Sequence, residues 1–413
     1  MALSIPIHTQ RHLLLVTVII GLVLWQAGGM LRWGVSLVQM LVVPAWLLQR
    51  VVPFHPPSRL VRWMVGATVG PAAVAVLYMV AAAVQIALPV TGIIAAIWVA
   101  TAWMCWRMWH EYGDVVVPAV AWWWVALAVG VVLTVAWTRG AQIAHVVFPP
   151  WVDAVHHALL IRVAYEHGQA PWDLTPYLPV THLTFHSGYH SIMAMLMHMS
   201  GLAVSDIPRM VLYGGQVLNT VAILSVAALA WVWWRQWPAM LLAMVVAGII
   251  SIMPAFYVSW SRYTLLSGMV LLPVAMVALE ALWRDNHPTH WIWYMIPLVV
   301  LSLVHMAVFV MVLAWGVVCM LGYGLPRRGT WYAAVSALLM TLPWWVFVMG
   351  QARSGAGASA MHIIGNSAQN AFIDALFWAR SNRWLVPAFV VVAAWGIWRR
   401  TTRMALLVLW VVC

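Results

Sequence analysis

The chain contains no lysine: its 20 basic residues are all arginine, and only nine residues are Asp or Glu. Charged side chains make up 7% of the 413 residues, against about 25% in a soluble globular domain. A solvated surface cannot be built from so few charges, so disordered, fibrous and ordinary cytosolic classes are excluded. With 65% hydrophobic residues, the composition points to an all-α, polytopic transmembrane protein. The missing lysine also removes Schiff-base chemistry and a lysine phosphate clamp. Cysteine is scarce as well. Cys105, Cys319 and Cys413 each lie in apolar runs, which argues against a disulfide framework or a cysteine-type zinc site. The net charge of +11 is thinly spread. It suits cytoplasmic loops facing anionic lipid and not a nucleic-acid surface.

What the chain does have is apolar sequence in runs, near 13–31, 34–49, 63–84, 92–106, 115–137, 209–234, 238–254, 264–283, 291–323, 330–349 and 384–398. The first follows Arg11 without a small-residue cleavage site and reads as a retained helix. Several are shorter than the roughly 20 residues of a straight span, implying tilt or local thinning. The stretch from 291 to 321 would make a helix of about 46 Å, too long for one crossing. It divides near His305 into two short spans. A final run from Met404 stops at Cys413, so a C-terminal part is expected to be missing. Some 12–13 spans result, in three parts: N-terminal transmembrane helices (1–137), an outer loop of interfacial helices (138–205) and C-terminal transmembrane helices (206–413).

Arginine placement sets the orientation. Arg50, Arg59 and Arg62 share one short loop, Arg327 and Arg328 another, and Arg399, Arg400 and Arg403 a third. The positive-inside rule assigns these to the cytoplasm. Residues 138–189 then fall outside. The segment 190–202, short and carrying His190 and His198, is laid on the outer surface. Arg235 and Arg284 fall inside, and Arg262 and His305 outside.

The outer loop concentrates polar chemistry. Eight of the 16 histidines lie between His145 and His198, together with Asp153, Glu166 and Asp173. Val152, Val155, Leu159 and Val163 recur at helical spacing and are expected to face apolar material. Asp153, His156 and His157 stand at i, i+3 and i+4 on the other face. Gly168 and Pro171 end this helix, which is expected to lie flat on the outer leaflet. Three prolines make 171–179 extended. Phe185-His186-Ser187-Gly188-Tyr189-His190 follows, and Trp260-Ser261-Arg262-Tyr263-Thr264 comes later, between two apolar runs.

Each residue has two readings. Asp153 is a helix cap or a base; a histidine is a polar interfacial tip or a ligand. One Asp beside two adjacent His in so uncharged a chain favours chemistry. Arg262 either snorkels to the interface or pairs bidentately with a phosphate. His305 is functional if intramembrane, and less informative if it sits in a wet turn. Arg209, just after Asp206, reads equally as a phosphate-facing cation or as a local ion pair. Asp153 with His157 is also a conceivable zinc or manganese ligand pair, a weaker reading because no third partner can be located. His110-Glu111 is followed by Asp114 where a zincin needs a second His, and no phosphate-binding glycine fingerprint is present.

In their order, Asp153-Ala154-Val155-His156-His157, the Gly168–Pro171 turn, Phe185-His186-Ser187-Gly188-Tyr189-His190 and Trp260-Ser261-Arg262-Tyr263-Thr264 resemble a bacterial and archaeal branch of the GT-C superfamily. These are polytopic glycosyltransferases that use lipid-linked sugars, and the resemblance covers residues 115–325. It implies Asp153 as general base on an acceptor hydroxyl, inversion at the anomeric carbon, and a polyprenyl-phosphate leaving group met by cations. Arg262, His186 and His190 would supply that role, with Tyr263 and His305 nearby and His156 and His157 orienting Asp153 or binding sugar. The chain departs from better-known members: histidines replace a second acid, five spans precede the loop, and no soluble C-terminal domain is visible. The partners implied are a polyprenyl-phosphate sugar, the bilayer and an acceptor, in a plasma membrane with the active face extracytoplasmic. No cofactor is called for by the resemblance; a divalent metal is the alternative occupant of the same site. A lipid or polysaccharide transporter, or a non-catalytic assembly subunit of the same fold, are the competing readings.

Overall fold

A computed structural model describes residues 2–5, 7–56, 58–111, 115–118, 121–181, 183, 186–285, 287–351 and 383–398. Asp114, Phe185, Asp374, Arg399, Arg400, Arg403 and the run from Met404 to Cys413 lie outside these residues. Among the described residues the regular structure is helical, apart from a short antiparallel ribbon pairing Ala2–Ile5 with Val115–Pro118. Its N-terminal part comprises α1 (Ile7–Gln26), α2 (Gly29–Val51), α3 (Arg59–Gly66), α4 (Val69–Val84), α5 (Val90–Glu111) and α6 (Trp122–Ile143). The middle contributes α7 (Val152–His167) and α8 (Gly188–Ser200). Then come α9 (Ile207–Trp234), α10 (Trp237–Val245), α11 (Ala255–Ser259), α12 (Tyr263–Arg284), α13 (His290–Val304), α14 (Met306–Tyr323), α15 (Arg328–Gln351) and α16 (Leu385–Trp398).

Among the described residues, nine helical stretches are long and apolar enough to cross a membrane. The protein is an all-α polytopic membrane protein. Runs that look short in sequence are not short helices. α2 has 23 residues and α5 has 22, because helix starts before each apolar run and continues beyond it through Arg50 and Arg107. The break expected near His305 is present: α13 ends at Val304 and α14 starts at Met306, with extended backbone at His305 between them.

Burial separates core from periphery. The apolar window of α12 is 72% buried, against 6% for α5 and for α6. α5 and α6 turn Trp103, Trp106, Trp122 and Trp137 outward. The segment at 190–202 does not lie on the outer surface. Nearly every residue of α8 is buried, and it packs against α2, α4 and α7. The physical reason is that its polar groups are bonded inside the protein, His190 to His157 and His198 to the Tyr165 carbonyl, while its four methionines fill irregular gaps. Such a helix of about 20 Å is too short to span. Gly188 sets its depth: a Cβ there would stand 2.8 Å from the Leu303 carbonyl oxygen at the end of α13.

The helix ends form two groups. At one end, Arg50 pairs with Glu111, Trp293 Nε1 donates to the Val52 carbonyl (2.9 Å), and Arg327 donates to the Arg284 carbonyl (2.8 Å). Trp233 Nε1 donates to Glu280 (2.9 Å), which brings the Arg235 end of α9 to the same level. At the other end, Arg139 donates to the Gly248 carbonyl (2.8 Å) and Gln142 to Ser259 (2.8 Å). Ser261 Oγ there donates to the Pro150 carbonyl. This second group carries the candidate site.

Candidate functional site

A cavity of about 1000 Å³ opens among α7, α9, α12 and α14 at the second end. Its polar wall carries Asp153, His156, His157, His186, Arg262 and His305. Its depth is apolar, reaching Ile223 and Val226 on α9, Leu272 and Pro273 on α12, and Met311 on α14. Leu272 lies ten residues beyond Arg262, so the apolar arm extends roughly 15 Å into the bundle.

The polar groups come from helix beginnings. Asp153 is in the first turn of α7, and His186 stands two residues before α8. Arg262 and His305 are the residues preceding α12 and α14. Each helix N-terminus has unpaired N–H groups and carries about half a positive charge, so four such ends converge on one mouth. Asp153 does not act as a cap. The N-cap of α7 is Trp151, and no side-chain cap bond is made there. Among the described lining residues Asp153 is the one carboxylate, set against an arginine and four imidazoles.

Behind the wall sits a histidine pair. His157 Nδ1 lies 2.8 Å from His190 Nε2, and the rings stack at 5.1 Å. The Ser261 backbone also meets the His157 ring. Burial pushes His157 down to about 4, with His156 adding to the shift and the Ser261 contact opposing it. Burial likewise holds His190 and His186 well below the usual histidine range, reinforced by their neighbouring imidazoles. The rings are therefore neutral near pH 7. His305 has a defined tautomer. Its Nδ1 accepts from the Val308 N–H (3.4 Å), so the neutral ring carries its proton on Nε2. The His186 ring lies 4.8 Å away.

Several sequence expectations are corrected. The two faces expected of α7 are not cleanly separated: Val152 and Val155 are 66% and 57% exposed, but Val163 of the same stripe is buried, and so is His157 of the polar one. Ala154, Leu160, Ile161 and Ala164 complete the packed face. His190 and Tyr263 do not line the cavity. His190 stands behind His157, and the fully buried Tyr263 packs edge-on to the His157 ring at 5.6 Å and against Gly215. The 171–179 segment is turned, not extended. The Asp173 carboxylate accepts from the Thr175 N–H and hydroxyl (both 2.8 Å), and Leu178 N–H reaches the Leu174 carbonyl (3.0 Å). Asp206 accepts from the Ala203 N–H (2.9 Å) in place of a pairing with Arg209. The Asp153–His157 metal pair gains no third ligand: among the described residues, no group of three or more His, Cys, Asp or Glu is placed to hold an ion.

The sequence reading also missed features. It did not anticipate the π-turn Val246–Ile250, closed by Ser251 N–H to the Val246 carbonyl (2.7 Å), which brings Val246 and Ala247 into the cavity wall. Nor did it give Ser261 a role. Comparison with family models, curated proteins and solved structures finds no match to this chain.

Proposed function

We propose that the protein is an integral-membrane glycosyltransferase that moves a sugar from a polyprenyl-phosphate donor to an acceptor hydroxyl at the outer face of the membrane. The observation that carries this reading is the cavity itself: one carboxylate faces an arginine and imidazoles at four helix N-termini, above an apolar arm. An anionic headgroup on a hydrocarbon chain fits both halves. Arg262 and the helix ends meet the phosphate, and the apolar arm takes the chain.

In the reaction, the acceptor oxygen attacks the anomeric carbon as the bond from that carbon to the phosphate oxygen breaks, with inversion. Asp153 takes the proton from the acceptor hydroxyl. The phosphate leaves with an added negative charge, which Arg262 and the His305 Nε2–H stabilise. The arginines at 50, 59, 62, 107, 235, 284, 327 and 328 gather at the opposite end, which supports an extracytoplasmic cavity. Membranes carrying wild type or Asp153→Asn, given radiolabelled polyprenyl-phosphate sugars and candidate acceptors, test the reading. Transfer by wild type and a loss of at least 100-fold in the variant are expected. Equal transfer by both removes Asp153 as base.

A second reading rests on a different observation. α13 and α14 have 15 and 18 residues and meet at His305 beside the cavity. Broken helices of this kind occur in transporters. Substrate-dependent lipid transport into vesicles, with no transfer from any donor, would favour a flippase.

A further inference from the structure

Ser261 holds a backbone conformation that glycine normally takes. Its φ is +52°, it is fully buried, and it ends α11 in a Schellman arrangement. The Ser261 N–H reaches the Val258 carbonyl (3.1 Å) and the Arg262 N–H reaches the Tyr257 carbonyl (2.9 Å). Glycine is the usual residue at this place because it has no Cβ to crowd the backbone. Gln85 and Arg235 also end helices in this conformation; what sets Ser261 apart is a hydroxyl bond that glycine could not make. That hydroxyl donates to the Pro150 carbonyl, 111 residues away in sequence. Immediately after Pro150, Trp151 is a second strained residue, with φ +77° and ψ 159° at the N-cap of α7. Two left-handed non-glycine residues thus flank one hydrogen bond. One precedes Arg262 directly, and the other stands two residues before Asp153. The Ser261 backbone also meets the ring of His157, which bonds to His190 on α8.

We infer that Ser261 is a positioning residue: its bond to Pro150 fixes the start of α7 against the Arg262 turn, and so sets Arg262 relative to Asp153. Strain of this kind persists where surrounding structure over-determines it, and it clusters at functional sites. Removing the brace leaves the cavity present but its two charged walls free to drift. The inference rests on the anion reading of the cavity, and its test separates the two.

The full chain, purified in detergent, is titrated with dodecyl phosphate, which pairs an anionic head with one hydrocarbon chain. Melting temperature is followed alongside. Ser261→Gly relieves the backbone strain while removing the hydroxyl; Ser261→Ala removes the hydroxyl and keeps the strain. The expected result is dodecyl phosphate binding weakened about tenfold in both variants, with the glycine variant melting no lower than wild type and the alanine variant melting lower. Affinity would then follow the hydroxyl and not stability, which a purely structural serine would not produce. Wild-type affinity in a glycine variant of unchanged stability overturns the positioning role while leaving the anion site intact. A wild type that binds no dodecyl phosphate overturns the anion reading, and the inference with it.

Discussion

His157 shows how a single residue ties the site to pH. Its ring is buried against His190 and Tyr263, and burial lowers it to about 4. In the unfolded chain it titrates near 6.5. Above that value neither state binds the proton, and the stability difference is complete. As pH falls from about 6.5 to 4 the unfolded state takes up the proton first, so stability is lost across that window, by roughly 3 kcal/mol for this ring alone. His186 and His190 are displaced the same way and add to the slope. Melting temperature measured in detergent between pH 4 and 8 is expected to fall on acidification, less steeply in His157→Gln; identical profiles would contradict the buried pair. Asp153 and Arg262 were legible in the sequence because charge is so scarce that each isolated one stands out. Ser261 was not, since nothing in a serine's identity announces a positive φ, whereas a glycine would have.

Among the elements, α8 is the instructive error. Its 13 residues with histidines near both ends read equally well as an interfacial helix or a buried one. In a soluble protein an apolar face points inward; beside a bilayer, lipid and protein core are both apolar, so the same pattern cannot choose between them. The apolar stripe of α7 divides for the same reason, with Val152 and Val155 exposed and Val163 buried. The break at His305 was legible because length is a constraint the bilayer does enforce. Packing that the sequence hides is open to test at Gly188, where a side chain would meet the Leu303 backbone. Gly188→Ala is expected to destabilise by about 2–3 kcal/mol, since backbone on both sides cannot yield. Gly92→Ala on α5, with open space around it, should be neutral or slightly stabilising by helix propensity. A drop in melting temperature confined to the first variant checks the contact.

The whole molecule is polarised. One end gathers Arg50, Arg107, Arg235, Arg284 and Arg327, and the other holds the cavity with Asp153 in its wall. The composition conveyed this asymmetry, because loop charge is the signal a membrane reads; it could not convey which helices close the cavity, because that depends on packing between segments far apart in sequence. The exposed Val147 and Leu325 lie at opposite ends. In a background without the native cysteines, a cysteine at Val147 is expected to react with a membrane-impermeant maleimide in intact cells, and one at Leu325 only after permeabilisation. The reverse pattern would turn the cavity toward the cytoplasm. The four helix starts around the cavity have one more consequence. Their field comes from peptide N–H groups that every sequence possesses, so substituting Arg262 should weaken an anion's hold without abolishing it. On the proposed anion reading, side chains around such a mouth are free to change over evolutionary time while the helix ends keep their field, and two chains could share this device with scarcely a residue in common.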